Sequence, residues 1–192
     1  QEQLPVEGVR VVEVDLCAFL QGHRSQIPVV GILLDDDHVV TPRLQLDKVC
    51  DRFAKHTIDI LGVRQGGGGR PLILSPLMNG KRIWMHRGEH RRIGFVAWCD
   101  MSSNAFLARR EAIARLRWDE QIKTYEHWEF FSRASRIYGL QVAVSTDCFI
   151  RHAHVASKSY RDLRSRSKFR AIGLRKHGFH SMRYPGGAIV HA

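Results

Sequence analysis

Three short stretches of this chain hold residue types that do chemistry. The first is Asp35-Asp36-Asp37, which ends the apolar run Val29-Val30-Gly31-Ile32-Leu33-Leu34. Adjacent carboxylates repel one another and bury badly unless a cation neutralises them. A divalent metal at the C-terminal end of a strand meets both demands, and ligands of open α/β sheets gather at that end. A solvated acidic turn is the competing reading of the same residues. The second stretch is Trp118-Asp119-Glu120 followed by Glu126-His127-Trp128-Glu129-Phe130-Phe131. Glu126 and Glu129 are three apart, so they share a helix face near its N-terminus, where acids also serve simply to stabilise the helix. The third is Asp147-Cys148-Phe149-Ile150-Arg151-His152, an extended segment delivering a histidine, with His154 two residues on.

The elements that must position these residues alternate in type. Val9 to Val14 reads as a strand, and Val29 to Leu34 as a strand covered on both faces. Thr41-Pro42 is a helix start, a hydroxyl N-cap with proline at the first helical position. Leu46, Val49, Cys50 and Phe53 then form one buried stripe. Ile58 to Val63 is the next strand, giving the strand–helix–strand order of an α/β fold. Gly66-Gly67-Gly68-Gly69 lacks the strand–turn–helix setting of a phosphate loop and reads as a linker. Leu72 to Trp98 suits short strands, and Arg109 to Leu116 a short helix. Glu126 to Tyr138 predicts a helix closed by Gly139, and Leu140, Val142 and Val144 a strand that continues through Ile150.

A carboxylate cluster, a second acidic site and a late histidine, in that order, resemble a GT-A-fold inverting glycosyltransferase over roughly Val29 to His154. The nearest likeness is to the β-1,4-N-acetylgalactosaminyltransferases. Those enzymes carry D-D-D after an apolar strand and then L-D-L-V-G, here Ile58-Asp59-Ile60-Leu61-Gly62. They carry N-x-F-L-A-R, here Asn104-Ala105-Phe106-Leu107-Ala108-Arg109, and H-x-E-F-F, here His127 to Phe131. Their D-V-x-V-x-H strand corresponds to Asp147 through His152.

The resemblance implies a mixed sheet flanked by helices, with residues 1–154 a partial GT-A domain and 155–192 a basic C-terminal extension. It implies transfer of a sugar, N-acetylgalactosamine by likeness, from a UDP-sugar donor to a hydroxyl of a glycan or glycolipid acceptor, with inversion. Mn²⁺ or Mg²⁺ is the implied cofactor. Asp35, Asp37 and His152 are its implied ligands, with His154 competing for the last place. Asp36 falls to the donor. Glu129 is the first candidate for the base that deprotonates the acceptor, and Glu126 the second. Asp100 and Asn104 match a segment lining the sugar pocket, and Trp98 and Trp118 are candidates to stack on a sugar face, core packing being their other use. The likeness also implies a Golgi-lumenal type II membrane protein, or the cytoplasmic face in a bacterial relative. Only 34 residues precede Asp35, room for about one βαβ unit, so the N-terminal part of the fold is expected to be incomplete.

Composition sets the outer bounds. The 192 residues suit one well-buried domain, and no apolar run approaches the ~20 residues of a membrane span. The net charge is +11. Residues 151–192 hold ten Lys and Arg against one acid, Asp162, a balance suited to polyanions or to a solvated tail. A basic nucleic-acid-binding module is therefore the alternative of a different class, although the tail lacks regularly interleaved aromatics and no helix-turn-helix or RNA-binding signature is present. An inactive relative serving as a partner protein is a third. Cys17, Cys50, Cys99 and Cys148 are too widely spaced for a zinc site, and read as disulfides or buried thiols.

Overall fold

The structure, a computed structural model, describes residues 9–12, 30–35, 38–66, 73–153, 162 and 168–192. It is a mixed α/β fold of two mixed sheets with flanking helices. The first sheet contains β1 (Val9–Val12), β2 (Val30–Asp35), β3 (His38–Val39), β4 (Ile60–Gly66), β7 (Arg91–Ile93), β8 (Val96–Trp98), β9 (Phe106–Arg109) and β10 (Val142–His152). Its order is β1-β2-β9-β4-β10-β8-β7, with β3 pairing to β10. The second contains β5 (Leu74–Asn79), β6 (Arg82–Arg87), β11 (Ser181–Arg183) and β12 (Ile189–His191), in the order β12-β11-β6-β5.

β9 is antiparallel to both β2 and β4, and β4 is parallel to β10. Strands β2, β4 and β10 therefore point the same way and share one C-terminal edge. Alternation along them divides the core. Ile32, Leu34, Leu61, Val63, Leu107, Ala143 and Ile150 face α1 (Leu46–Lys55), which buries Val49, Cys50 and Phe53 against them. Ile60, Phe106, Ala108, Val142 and Val144 face α3 (Glu126–Ser132) with Phe130 and Phe131. Burial on both faces is why these strands read as unbroken apolar runs.

The expected helix start at Thr41-Pro42 yields a 3₁₀ turn, Pro42–Leu44, without a side-chain cap; α1 begins only after Gln45 at φ 49°. A second short helix, α2 (Arg110–Arg115), follows β9. The expected helix to Tyr138 widens at its end: α3 passes into a π-turn, Arg133–Ile137, ended by Gly139 at φ 63°. Gly62 matters for space. A Cβ there would lie 2.5 Å from that of Ser102, so only glycine lets the 102–105 segment pass this close.

Residues 168–192, expected within a basic extension, are packed rather than trailing. They form α4 (Lys168–Lys176), β11 and β12. Leu174, Phe179, Met182 and Val190 share a core with Leu74, Ile83, Met85 and Trp128 of α3. Apolar residues spaced between the basic ones give this segment a buried side, and Lys176 closes on Asp119 at 2.5 Å.

Candidate functional site

The shared edge of β2, β4 and β10 collects Asp35, Gln65 and His152 at or beside their strand ends. Asp35 closes β2; its side chain, together with Asp36, Asp37 and His154, lies outside the described residues. His38, which follows the triplet directly in sequence, is the cross-strand partner of His152 in the β3–β10 ladder. The two imidazoles lie 4.9 Å apart between centroids. Gln65 Nε2 is 2.9 Å from His38 Nε2. An amide nitrogen only donates, so in this orientation Gln65 donates to His38 Nε2. Arg64 adds a cation beside the edge, donating to the Thr146 carbonyl at 3.3 Å and lying over the Phe149 ring.

Asn104 belongs to the same edge. It lies two residues before Phe106, which pairs with Leu33 at the end of the β2–β9 ladder, and the adjoining Ala105 carbonyl accepts from the Val63 amide of β4. Ser103 fixes the approach by donating to the Val63 carbonyl at 2.9 Å. Asp100 is placed elsewhere. Trp98 pairs with Ala143, and the Cys99 amide reaches the Val142 carbonyl, so Asp100 sits by the start of β10 while His152 ends that strand. There it holds His90 Nε2 at 2.6 Å, and Ser75 Oγ is 3.4 Å from the same nitrogen. A serine relay needs its acid and serine on opposite ring nitrogens, so this trio is not one.

α3 carries the two candidate bases, and their environments differ. Phe106 opens β9 at the functional edge, and its ring meets Phe130 and Phe131, each at 5.6 Å. These contacts fix α3 against β9, and Glu126 lies one turn before Phe130. The Glu126 side chain is 26% exposed, its Oε1 3.4 Å from His127 Nδ1. Glu129 is 3% exposed, and both of its oxygens are engaged. Oε1 accepts from Arg133 Nε at 2.6 Å and from His177 Nε2 at 3.2 Å, and Oε2 from Arg133 at 2.8 Å. Burial pushes its pKa up, but hydrogen bonds from His177 and Arg133 and their charges outweigh it, holding the carboxyl below the usual glutamate range. As placed, Glu129 is a charged anchor joining α3 to the segment after α4.

The two tryptophans are packing residues. Trp98 is buried, with the Arg91 guanidinium 4.0 Å from its ring centroid and His56 at its edge. Trp118 stacks on Phe130 at 4.1 Å. Several motif residues are likewise structural. Arg52 of α1 binds Asp147 at 2.6 Å and also reaches Ser145 and Cys148, pinning β10 where its register shifts. Asp59 accepts from the Gln141 amide at 2.7 Å, and Arg109 donates to the Ile58 and Phe53 carbonyls.

His38, Gln65, Arg133 and His177 were not singled out from the sequence. The place of His38 beside the triplet and the four-residue spacing of Glu129 and Arg133 were usable signals; for Gln65 and His177 the partner is remote and no local pattern exists. Among the described residues, no group of three His, Cys, Asp or Glu side chains converges well enough to hold a metal. Cys50, Cys99 and Cys148 are buried, and burial pushes the Cys99 thiol up to about 12. In comparison with known proteins, no family model and no curated protein matches this chain.

Proposed function

We propose that the chain is the core of a GT-A-like, metal-dependent inverting glycosyltransferase that moves a sugar from a UDP-sugar to a hydroxyl of a glycan or glycolipid. N-acetylgalactosamine is the sugar that the sequence resemblance favours. The observation that carries the reading is the gathering of Asp35, Asn104, Gln65, His38 and His152 at the one edge where β2, β4 and β10 all end. That is where ligands of α/β sheets bind.

The donor set fits a hard-to-borderline divalent cation. Imidazole and carboxylate together suit Mn²⁺, with Mg²⁺ the second choice. Asp35, Asp37 and His152 would hold it, and when bound it neutralises charge developing on the departing diphosphate. His38, fixed by Gln65, orients His152 through their ring contact. Arg64 contributes positive charge on the same side, and Asn104 offers hydrogen bonds to donor hydroxyls. Glu126 takes the acceptor proton. Of the two acids of α3 it is the more exposed, 26% against 3%, whereas Glu129 is held by Arg133 and His177 and positions the helix.

The test is transfer or hydrolysis of UDP-N-acetylgalactosamine followed by proton NMR, which also reads the anomeric configuration of the first product. An inverted product whose formation falls about 100-fold or more in Glu126→Gln supports the assignment. Retention at the anomeric carbon, or full rate in that variant, refutes it.

A further inference from the structure

The outer face of the second sheet has no role in the site just described, and its composition is unusual for a surface. Cross-strand register sets Leu77 opposite Trp84, Trp84 opposite Arg183, and Arg183 opposite Ile189. These four form a single row spanning all four strands. Leu77 is 57%, Trp84 46% and Ile189 56% exposed. The neighbouring row, Asn79, Arg82, Ser181 and His191, is polar and basic. The inner face of the same sheet is already filled by Ile83, Met85, Met182 and Val190 beneath Trp128 and Leu174, so the outer row is not spare core. None of the four strands contains an Asp or Glu.

We propose that this face docks the protein on an anionic lipid surface. Each component has a counterpart there. Arg82 and Arg183 meet acidic headgroups. Trp84 takes the interfacial position its amphipathic ring favours. Leu77 and Ile189 enter the acyl boundary, as apolar side chains of interfacial proteins do. A nucleic acid accounts for the arginines and the tryptophan but gives the two exposed aliphatic residues nothing to contact. The row is about 14 Å across, four strands at the usual spacing, so insertion is shallow and reversible.

The experiment uses the full chain without nucleotide or metal, so its outcome is separate from that of sugar transfer. Sucrose-loaded vesicles of phosphatidylcholine, with and without about 30 mol% phosphatidylserine, are sedimented with the protein. Binding is expected to the anionic vesicles alone, to fall with salt, and to shift the tryptophan emission to the blue. Arg82→Gln with Arg183→Gln should weaken partitioning about 30-fold. Leu77→Ser with Ile189→Ser should weaken it about tenfold with the salt dependence kept. Trp84→Leu should abolish the blue shift. All five side chains are exposed, and far-ultraviolet circular dichroism checks that each variant is folded. Absence of wild-type binding, equal binding by folded variants, or preferential binding of a single-stranded oligouridylate overturns the proposal, the last assigning the face to nucleic acid.

Discussion

Replacing Glu129 with glutamine separates the anchor from the catalyst. The carboxylate makes three hydrogen bonds, two from Arg133 and one from His177, in a pocket where the side chain is 3% exposed. Hydrogen bonds to charged groups contribute about 1.5–3 kcal/mol each, and breaking a fully buried ion pair costs about 3–5 kcal/mol. Two features reduce the loss here. Glutamine keeps one acceptor oxygen, and Arg133 is 18% exposed and retains the Arg117 carbonyl. A net cost of about 2–3 kcal/mol follows, or roughly 4–12 °C in Tm for a chain of this size. The pH dependence has a definite sign. Because the folded pKa of Glu129 is depressed, its contribution is complete above the unfolded glutamate value of ~4.3 and fades as pH falls through the lower folded value. Urea unfolding of wild type and Glu129→Gln should therefore differ most near neutrality and converge in acid. Equal stability at pH 7, within about 0.5 kcal/mol, with transfer lowered about 100-fold, would refute the anchor assignment and return Glu129 to the role of base.

Two further outcomes rest on the packing. Gly62→Ala forces a Cβ to within 2.5 Å of Ser102 and should lower unfolding free energy by about 1–3 kcal/mol, measured by urea denaturation; an unchanged midpoint would mean that the 102–105 segment yields freely. Cys50, Cys99 and Cys148 are buried, so a disulfide-exchange reagent should modify them only on unfolding, and Cys99, held up near 12, should be slow even at pH 9. Rapid labelling of a Cys99-only variant in native buffer would contradict that burial.

The sequence was most legible where one face of an element had one job. Apolar runs announced β2 and β4, the alternation of Leu140, Val142 and Val144 announced β10, and the 3.6-residue spacing of Val49, Cys50 and Phe53 announced α1. Phe130 and Phe131 fell into the core as their spacing implied. The C-terminal segment misled because its charge is conspicuous and its apolar side is not. Leu174, Phe179, Met182 and Val190 are scattered through polar and basic residues, and only the neighbouring β6 reveals that they close a second core. Motif spacing also could not separate chemistry from architecture. Asp59, Arg109 and Asp147 are polar residues in suggestive positions, yet each satisfies a distant backbone or side-chain partner. Asp100 and Asn104 lie four apart in sequence but go to different places, because the chain turns between them from the start of β10 toward the end of β2. Such separations depend on register, which a single sequence does not display.

The central claim is that the β2–β4–β10 edge holds a metal-assisted nucleotide site. Titration calorimetry with UDP, with and without Mn²⁺, on wild type and Asp37→Ala tests it most directly. Wild type is expected to bind UDP only with Mn²⁺, and Asp37→Ala to lose that binding while its unfolding midpoint is unchanged. Absence of UDP binding by folded wild type in Mn²⁺, or equal binding by Asp37→Ala, would contradict it.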